Sequence, residues 1–213
     1  MILNGMFKIR RIRPVNVILV LAAALFLVGC SSSKLDPLES GDVIVAFGDS
    51  LTFGVGAHSE NSYPSVLAGL SGFEVVNAGV SGETTGEGLK RFPQVLDEYS
   101  PSLLILLEGG NDILRNKPYD QIESNLDSMI SEAKSRGVQV VLIGVPEKKL
   151  FSSSAPFYKR LAEKHDLVFE SKLVGGLMRS PSKKSDTVHF NKAGYAHMAE
   201  AINDLLLENG AFN

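Results

Sequence analysis

From Asp42 onward, short apolar runs alternate with longer stretches whose apolar positions recur at helical spacing. The runs are 43–47 (VIVAF), 73–77 (FEVVN), 103–107 (LLILL), 138–145 (VQVVLIGV) and 167–169 (LVF). Most lack the apolar–polar alternation of a half-solvated sheet, which is the pattern of strands covered by helices on both faces. Amphipathic stretches at 62–70, 84–99, 119–136, 156–165 and 192–208 fill the intervals. In the third of these, Ile122, Leu126, Met129, Ile130 and Ala133 fall on one face, and Gly137 supplies a stop. Strict alternation of strand and helix predicts an α/β fold: a three-layer, doubly wound, five-stranded parallel sheet with helices on both faces.

The expected strand order is flavodoxin-like, and sheets of this kind bind ligands at the carboxyl ends of their strands. Three loops stand at those ends: Gly48-Asp49-Ser50-Leu51, then 78–84 (AGVSGET), then Gly109-Gly110-Asn111-Asp112. All are rich in glycine and small polar residues. Ser50 leaves the first strand at the start of a predicted helical turn, where backbone N–H groups and the helix dipole favour developing negative charge.

Composition narrows the chemistry. The chain has 213 residues, 44% of them hydrophobic and 21% charged, which fits one globular domain with an ordinary core. A single cysteine excludes both an internal disulfide framework and a cysteine-based zinc site. That cysteine, Cys30, ends a distinctive N-terminus: Lys8, Arg10, Arg11 and Arg13 precede the apolar run 15–29 (VNVILVLAAALFLVG). A basic segment followed by about fifteen apolar residues, shorter than the roughly twenty of a permanent span, reads as a removable signal. Leu27-Val28-Gly29-Cys30 resembles the bacterial lipobox, which implies a palmitate-type lipid on Cys30 and anchorage in the cell envelope, facing the periplasm in a diderm. The competing reading is a short anchor or core helix with an incidental cysteine. The expected organisation is a signal peptide at 1–29, a flexible tether at 30–41 and one globular domain at 42–213. Losing residues 1–29 removes four basic and no acidic residues and takes the net charge from −3 to −7. Such a charge argues against nucleic acid and against a polybasic membrane patch, so the membrane is reached through the lipid.

A serine hydroxyl is a weak nucleophile until an imidazole takes its proton and a carboxylate fixes the imidazole tautomer. Of the four histidines, His165 ends an amphipathic helix, His197 lies inside the last one and His58 sits in a polar loop. His189 differs. It follows Asp186-Thr187-Val188 and precedes Asn191, a plausible cap of the last helix, so it enters that helix from the sheet side. Taken alone, an Asp-x-x-His reads as a surface turn.

Together, Gly48-Asp49-Ser50-Leu51, 76–84 (VNAGVSGET), Gly109-Gly110-Asn111-Asp112 and Asp186-Thr187-Val188-His189 resemble the four blocks of the SGNH or GDSL hydrolases, in order, over nearly the whole mature chain. The resemblance implies Ser50 as nucleophile, His189 as base and Asp186 as its orienter. It further implies an oxyanion hole from the Ser50 N–H, the Gly82 N–H and the Asn111 amide. One departure is Thr187, where the family often has glycine; a position requiring positive φ would strain a β-branched residue. Asp49 and Asp112 are expected to be structural, bonding the nucleophile and oxyanion loops. The implied activity is hydrolysis of carboxylic esters or thioesters of small acyl substrates through an acyl-enzyme. It needs no cofactor, no metal and no obligate protein partner. The blocks look most like the arylesterase, thioesterase and lysophospholipase branch, with acyl-chain length set by loops such as 116–120 and 147–155. Rival readings are a lipid-anchored binding protein without turnover and a carbohydrate O-acetyl esterase. Gly-x-Ser-x-Gly, a phosphate-binding Gly-x-x-x-x-Gly-Lys and His-Glu-x-x-His are all absent from the sequence.

Overall fold

The computed structural model of the chain describes residues 34–149 and 153–212. The expected signal segment, Cys30 and the start of the expected tether lie outside the described residues. Five strands form one parallel sheet: β1 (Val43–Gly48), β2 (Glu74–Gly79), β3 (Leu103–Leu107), β4 (Gln139–Ile143) and β5 (Val168–Glu170). Their order is β2-β1-β3-β4-β5, the flavodoxin-like arrangement expected from the sequence. The helices are α1 (Ser50–Phe53), α2 (Tyr63–Ser71), α3 (Thr85–Tyr99), α4 (Gly110–Leu114), α5 (Tyr119–Ser135), α6 (Pro156–His165), α7 (Leu173–Met178) and α8 (Lys192–Glu208). Helix α2 packs on α8 and α8 on α7, while α3 packs on α5 and α5 on α6. These groups are the two outer layers. Among the described residues no helix is long and apolar enough to cross a membrane.

Burial follows the sequence pattern. Every residue of the central β3 is buried, as a strand covered on both faces requires. The edge strand β2 leaves Glu74 and Asn77 exposed, and its polar residues are tolerated for that reason. Two elements that periodicity does not reveal, α4 and α7, are only five and six residues long and glycine-bearing. Strand β4 is shorter than its apolar run at both ends: Val138 precedes it, and the Gly144 N–H makes a last bond to the Glu170 carbonyl at 2.8 Å beyond Ile143.

The tether reading needs correction where it can be examined. Within 34–41, Leu35 and Leu38 are buried. The Leu35 and Leu38 N–H groups donate to the carbonyls of Asn209 (3.0 Å) and Ala211 (2.8 Å), and the Asp36 backbone exchanges two hydrogen bonds with the Gln139 side chain. Leucine side chains and main-chain bonds fix this segment to the domain, which therefore begins before Asp42.

Candidate active site

The site is assembled where β1, β2 and β3 end and where the chain enters α8. Asp49 carries the chain from β1 into α1. Its Oδ1 accepts the Leu51 N–H at 3.0 Å, an N-cap bond that holds Ser50 as the first residue of the helical turn. Ser50 is nearly buried, yet its hydroxyl faces a cleft of about 270 Å³ that also exposes Asn111 and His189.

His189 Nε2 lies 3.0 Å from Ser50 Oγ, and its Nδ1 lies 2.7 Å from Asp186 Oδ2. The other Asp186 oxygen accepts the N–H groups of Val188 and His189, both at 2.7 Å. The four-residue turn is thus wound around one carboxylate. The backbone N–H and ring of His189, followed by the Val188 N–H, hold the Asp186 carboxyl well below the usual carboxylate range, so it is ionised beside the imidazole. Thr187 carries no strain: among the described residues, positive φ outside glycine occurs only at Ser100, Asn116 and Asp166. His58 and His197 are exposed, and His165 pairs with Asp127 at 2.6 Å, so the other three histidines are engaged elsewhere or solvated.

The opposite wall is built from buried charge. Asn111 is the second residue of α4, and its Nδ2 donates to the Glu83 carbonyl at 2.9 Å and points at Asp49 Oδ2 at 3.5 Å. The first bond fixes the amide; the second is at the limit of a hydrogen bond and is readily exchanged for another acceptor. Gly82 precedes Glu83 with φ +81°, a conformation a side chain would strain, whereas an added Cβ would meet nothing nearer than Arg115 Nη2 at 4.0 Å. Alanine there would act through backbone strain and not through a steric clash. Asp112 accepts the Thr85 N–H at 2.8 Å and Thr85 hydroxyl at 3.0 Å, tying α4 to α3.

Sequence reasoning missed three supports. Glu83 lies inside the 76–84 block, and its carboxylate takes a bidentate bond from Arg91 Nε (2.6 Å) and Nη2 (2.5 Å). The Arg91 guanidinium also covers the Phe47 ring at 4.0 Å. Glu108 is fully buried at the end of β3: Oε1 accepts the Gly109 N–H at 3.1 Å, and Oε2 has no partner. Burial, reinforced by Asp49, pushes its carboxyl well up, and burial also lifts Asp49 to about 6. A carboxylic acid directly after an unbroken apolar strand is the one signal in the sequence that points to Glu108. Among the described residues no cluster of three His, Cys, Asp or Glu side chains is placed to hold a metal ion.

Residues 46–197 match the GDSL-like lipase/acylhydrolase family. The chain belongs to that family. It is a serine ester hydrolase. An arylesterase of Vibrio mimicus is 38% identical over 135 residues, 59% of this chain and 68% of that protein. Esterase TesA of Pseudomonas aeruginosa is 33% identical over 128 residues, 57% of this chain and 64% of that protein, so the chain spans about two thirds of these relatives. The psychrotrophic esterase EstA of a Pseudoalteromonas species shares the fold, with a TM-score of 0.70 at 21% identity, covering 78% of this chain and 97% of that one.

Proposed function

We propose that Ser50 is the nucleophile of this acylhydrolase, His189 its general base and acid, and Asp186 the group that orients the imidazole. The continuous relay Ser50 Oγ, His189 Nε2, His189 Nδ1, Asp186 Oδ2 carries this reading. As Ser50 Oγ bonds to the acyl carbon, its proton passes to His189 Nε2 and the carbonyl electrons move onto oxygen. The Ser50 and Gly82 N–H groups and the Asn111 amide receive that oxyanion. Collapse breaks the bond to the alcohol or thiol, which leaves with the proton held on His189. A water then gives its proton to the same nitrogen as it attacks the acyl carbon; the bond to Ser50 Oγ breaks, His189 returns the proton to Oγ, and the acid leaves.

The cleft walls include Leu51, Ile113, Val145, Met178 and Val188, so the group accommodated is an apolar acyl chain. The substrates proposed are carboxylic esters and thioesters of such chains, and the name of the Vibrio relative makes aryl esters the first to try. Ser50→Ala should abolish hydrolysis of a nitrophenyl ester without lowering Tm, since one hydroxyl leaves a turn whose cap is Asp49. A variant keeping more than a few per cent of activity overturns the assignment.

The chain's location is part of the proposal. The basic segment, the apolar run and Cys30 support a lipid-anchored envelope protein. Cys30→Ser should shift the mature protein from the membrane to the soluble fraction of fractionated cells; unchanged retention counts against an anchor.

A further inference from the structure

A second hollow of about 330 Å³ lies beside the catalytic cleft, and the two share Ile113, Glu147 and Lys148 as a common wall. Lys148 closes that wall. Its Nζ donates to the Leu114 carbonyl at 2.6 Å and to Asn116 Oδ1 at 2.8 Å. Leu114 is the last residue of α4; the Asn111, Asp112 and Ile113 carbonyls accept the N–H groups of Arg115, Lys117 and Asn116, and the lysine cation caps the Leu114 carbonyl that follows them. Asn116 holds the following turn at φ +53°. The bridge thus clamps the loop after β4 to the loop after β3, across the end of the cleft.

We propose that Lys148 sets the length of acyl chain this hydrolase accepts, by ending the cleft at a wall beyond which a second hollow would extend it. The proposal rests on the reading of the Ser50 cleft as the acyl site and adds what limits it. Ile113 is buried and lines both spaces, and Tyr119 lines the far one, so an apolar strip continues past the bridge between the charged Lys117, Glu147 and Lys149. A chain that fills the first space meets an ammonium group held on two oxygens. Passing it means swinging the exposed ammonium off both oxygens or running methylenes alongside it, and neither is favourable. With the bridge gone, each further methylene that reaches the apolar wall should raise kcat/KM by up to roughly fourfold.

The test is the kcat/KM profile over nitrophenyl esters from acetate to dodecanoate. In the parent enzyme the profile should rise over the first members and stop where the chain reaches the bridge. In Lys148→Ala the rise should continue, increasing the decanoate-to-butanoate ratio by at least about fivefold, roughly one to two methylenes' worth. Lys148→Met keeps most of the stem's bulk but cannot bridge, and should shift the profile in the same direction. Asn116→Gly suits the left-handed backbone, removes one acceptor and should shift it less. Superimposed profiles for Lys148→Ala and the parent overturn the proposal. A shift in Lys148→Ala with none in Lys148→Met would assign the limit to bulk and overturn the bridge. A shift that appears in alkyl butanoates of rising alcohol length instead would place the leaving group there and overturn it as well. Ser50→Ala on the same esters reports separately on the acyl-site reading, whatever the profiles show.

Discussion

On the Ser50 side of the cleft the polar groups are buried at the ends of β1, β2 and β3, while on the His189 side they stand half in solvent in a turn of four residues. Asp49, Glu83, Glu108 and Asp112 are each at most 6% exposed, whereas the Asp186 side chain is 52% exposed. The consequences for charge are opposite. Burial raises the carboxyls of Asp49 and Glu108, and hydrogen bonds within its own turn lower that of Asp186. The Ser50 side is fixed by contacts distant in sequence, such as Arg91 on Glu83 and Thr85 on Asp112. The His189 side is fixed by bonds spanning three residues. A rigid wall of buried groups and an imidazole oriented by a neighbouring carboxylate are obtained here by building each half differently.

The sharpest way to break the contrast is to remove the base. His189→Ala should lower kcat by about 10⁴ or more. Tm should barely change, because the turn is held by Asp186 and the backbone. Ser50→Ala added to it should cost little further, since nucleophile and base act as one unit. Loss of Tm comparable to a core substitution would show the turn is not self-contained.

On the buried side, Asn111→Ala should reduce kcat by roughly 10² to 10³ with a smaller effect on KM, because the oxyanion charge it meets appears only as Ser50 attacks. A raised KM with unchanged kcat would make Asn111 a substrate-binding residue. The seam between the halves can be tested separately. A Cβ on Gly56 would lie 2.0 Å from Ser185 Oγ and 2.6 Å from the Phe190 carbonyl, so the loop after α1 touches the histidine turn there. Gly56→Ala should cost about 1 to 3 kcal/mol of stability and some tenfold in kcat, and His189→Ala should mask the kinetic part.

The smallest effect is in pH dependence. Asp49, with its folded pKa at about 6 against 3.8, binds its proton more tightly in the fold. Its contribution is fully present below pH 3.8 and is lost as pH rises through 6. Glu108 acts in the same direction. Asp186 acts oppositely: its contribution is present above pH 3.8 and is lost as pH falls towards its lowered value. Glu108→Gln should therefore flatten the decline of Tm between pH 5 and 8 by a few degrees, and Asp186→Asn should flatten the decline below pH 4. Identical slopes in variant and parent would contradict the charge assignment.

How much of this was legible in the sequence follows the same division. The strands buried on both faces announce themselves as unbroken apolar runs, and 103–107 matches β3 residue for residue. Asp186 and His189 are readable because their contact lies within three residues. The Glu83–Arg91 pair and the orphan oxygen of Glu108 were not readable, because each depends on which distant chain the fold brings alongside. Leu35 and Leu38 were misread for a related cause. Two leucines among serine, aspartate and proline have no period, and their burial is decided by main-chain partners at Asn209 and Ala211.

The central claim, that the exposed turn activates one serine on the buried wall, is tested most directly by fluorophosphonate labelling with the modified residue located by mass spectrometry. One adduct per chain should form on Ser50, disappear in Ser50→Ala and form at least about a thousandfold more slowly in His189→Ala. An adduct on another residue, or equal labelling rates in His189→Ala and the parent, would contradict it.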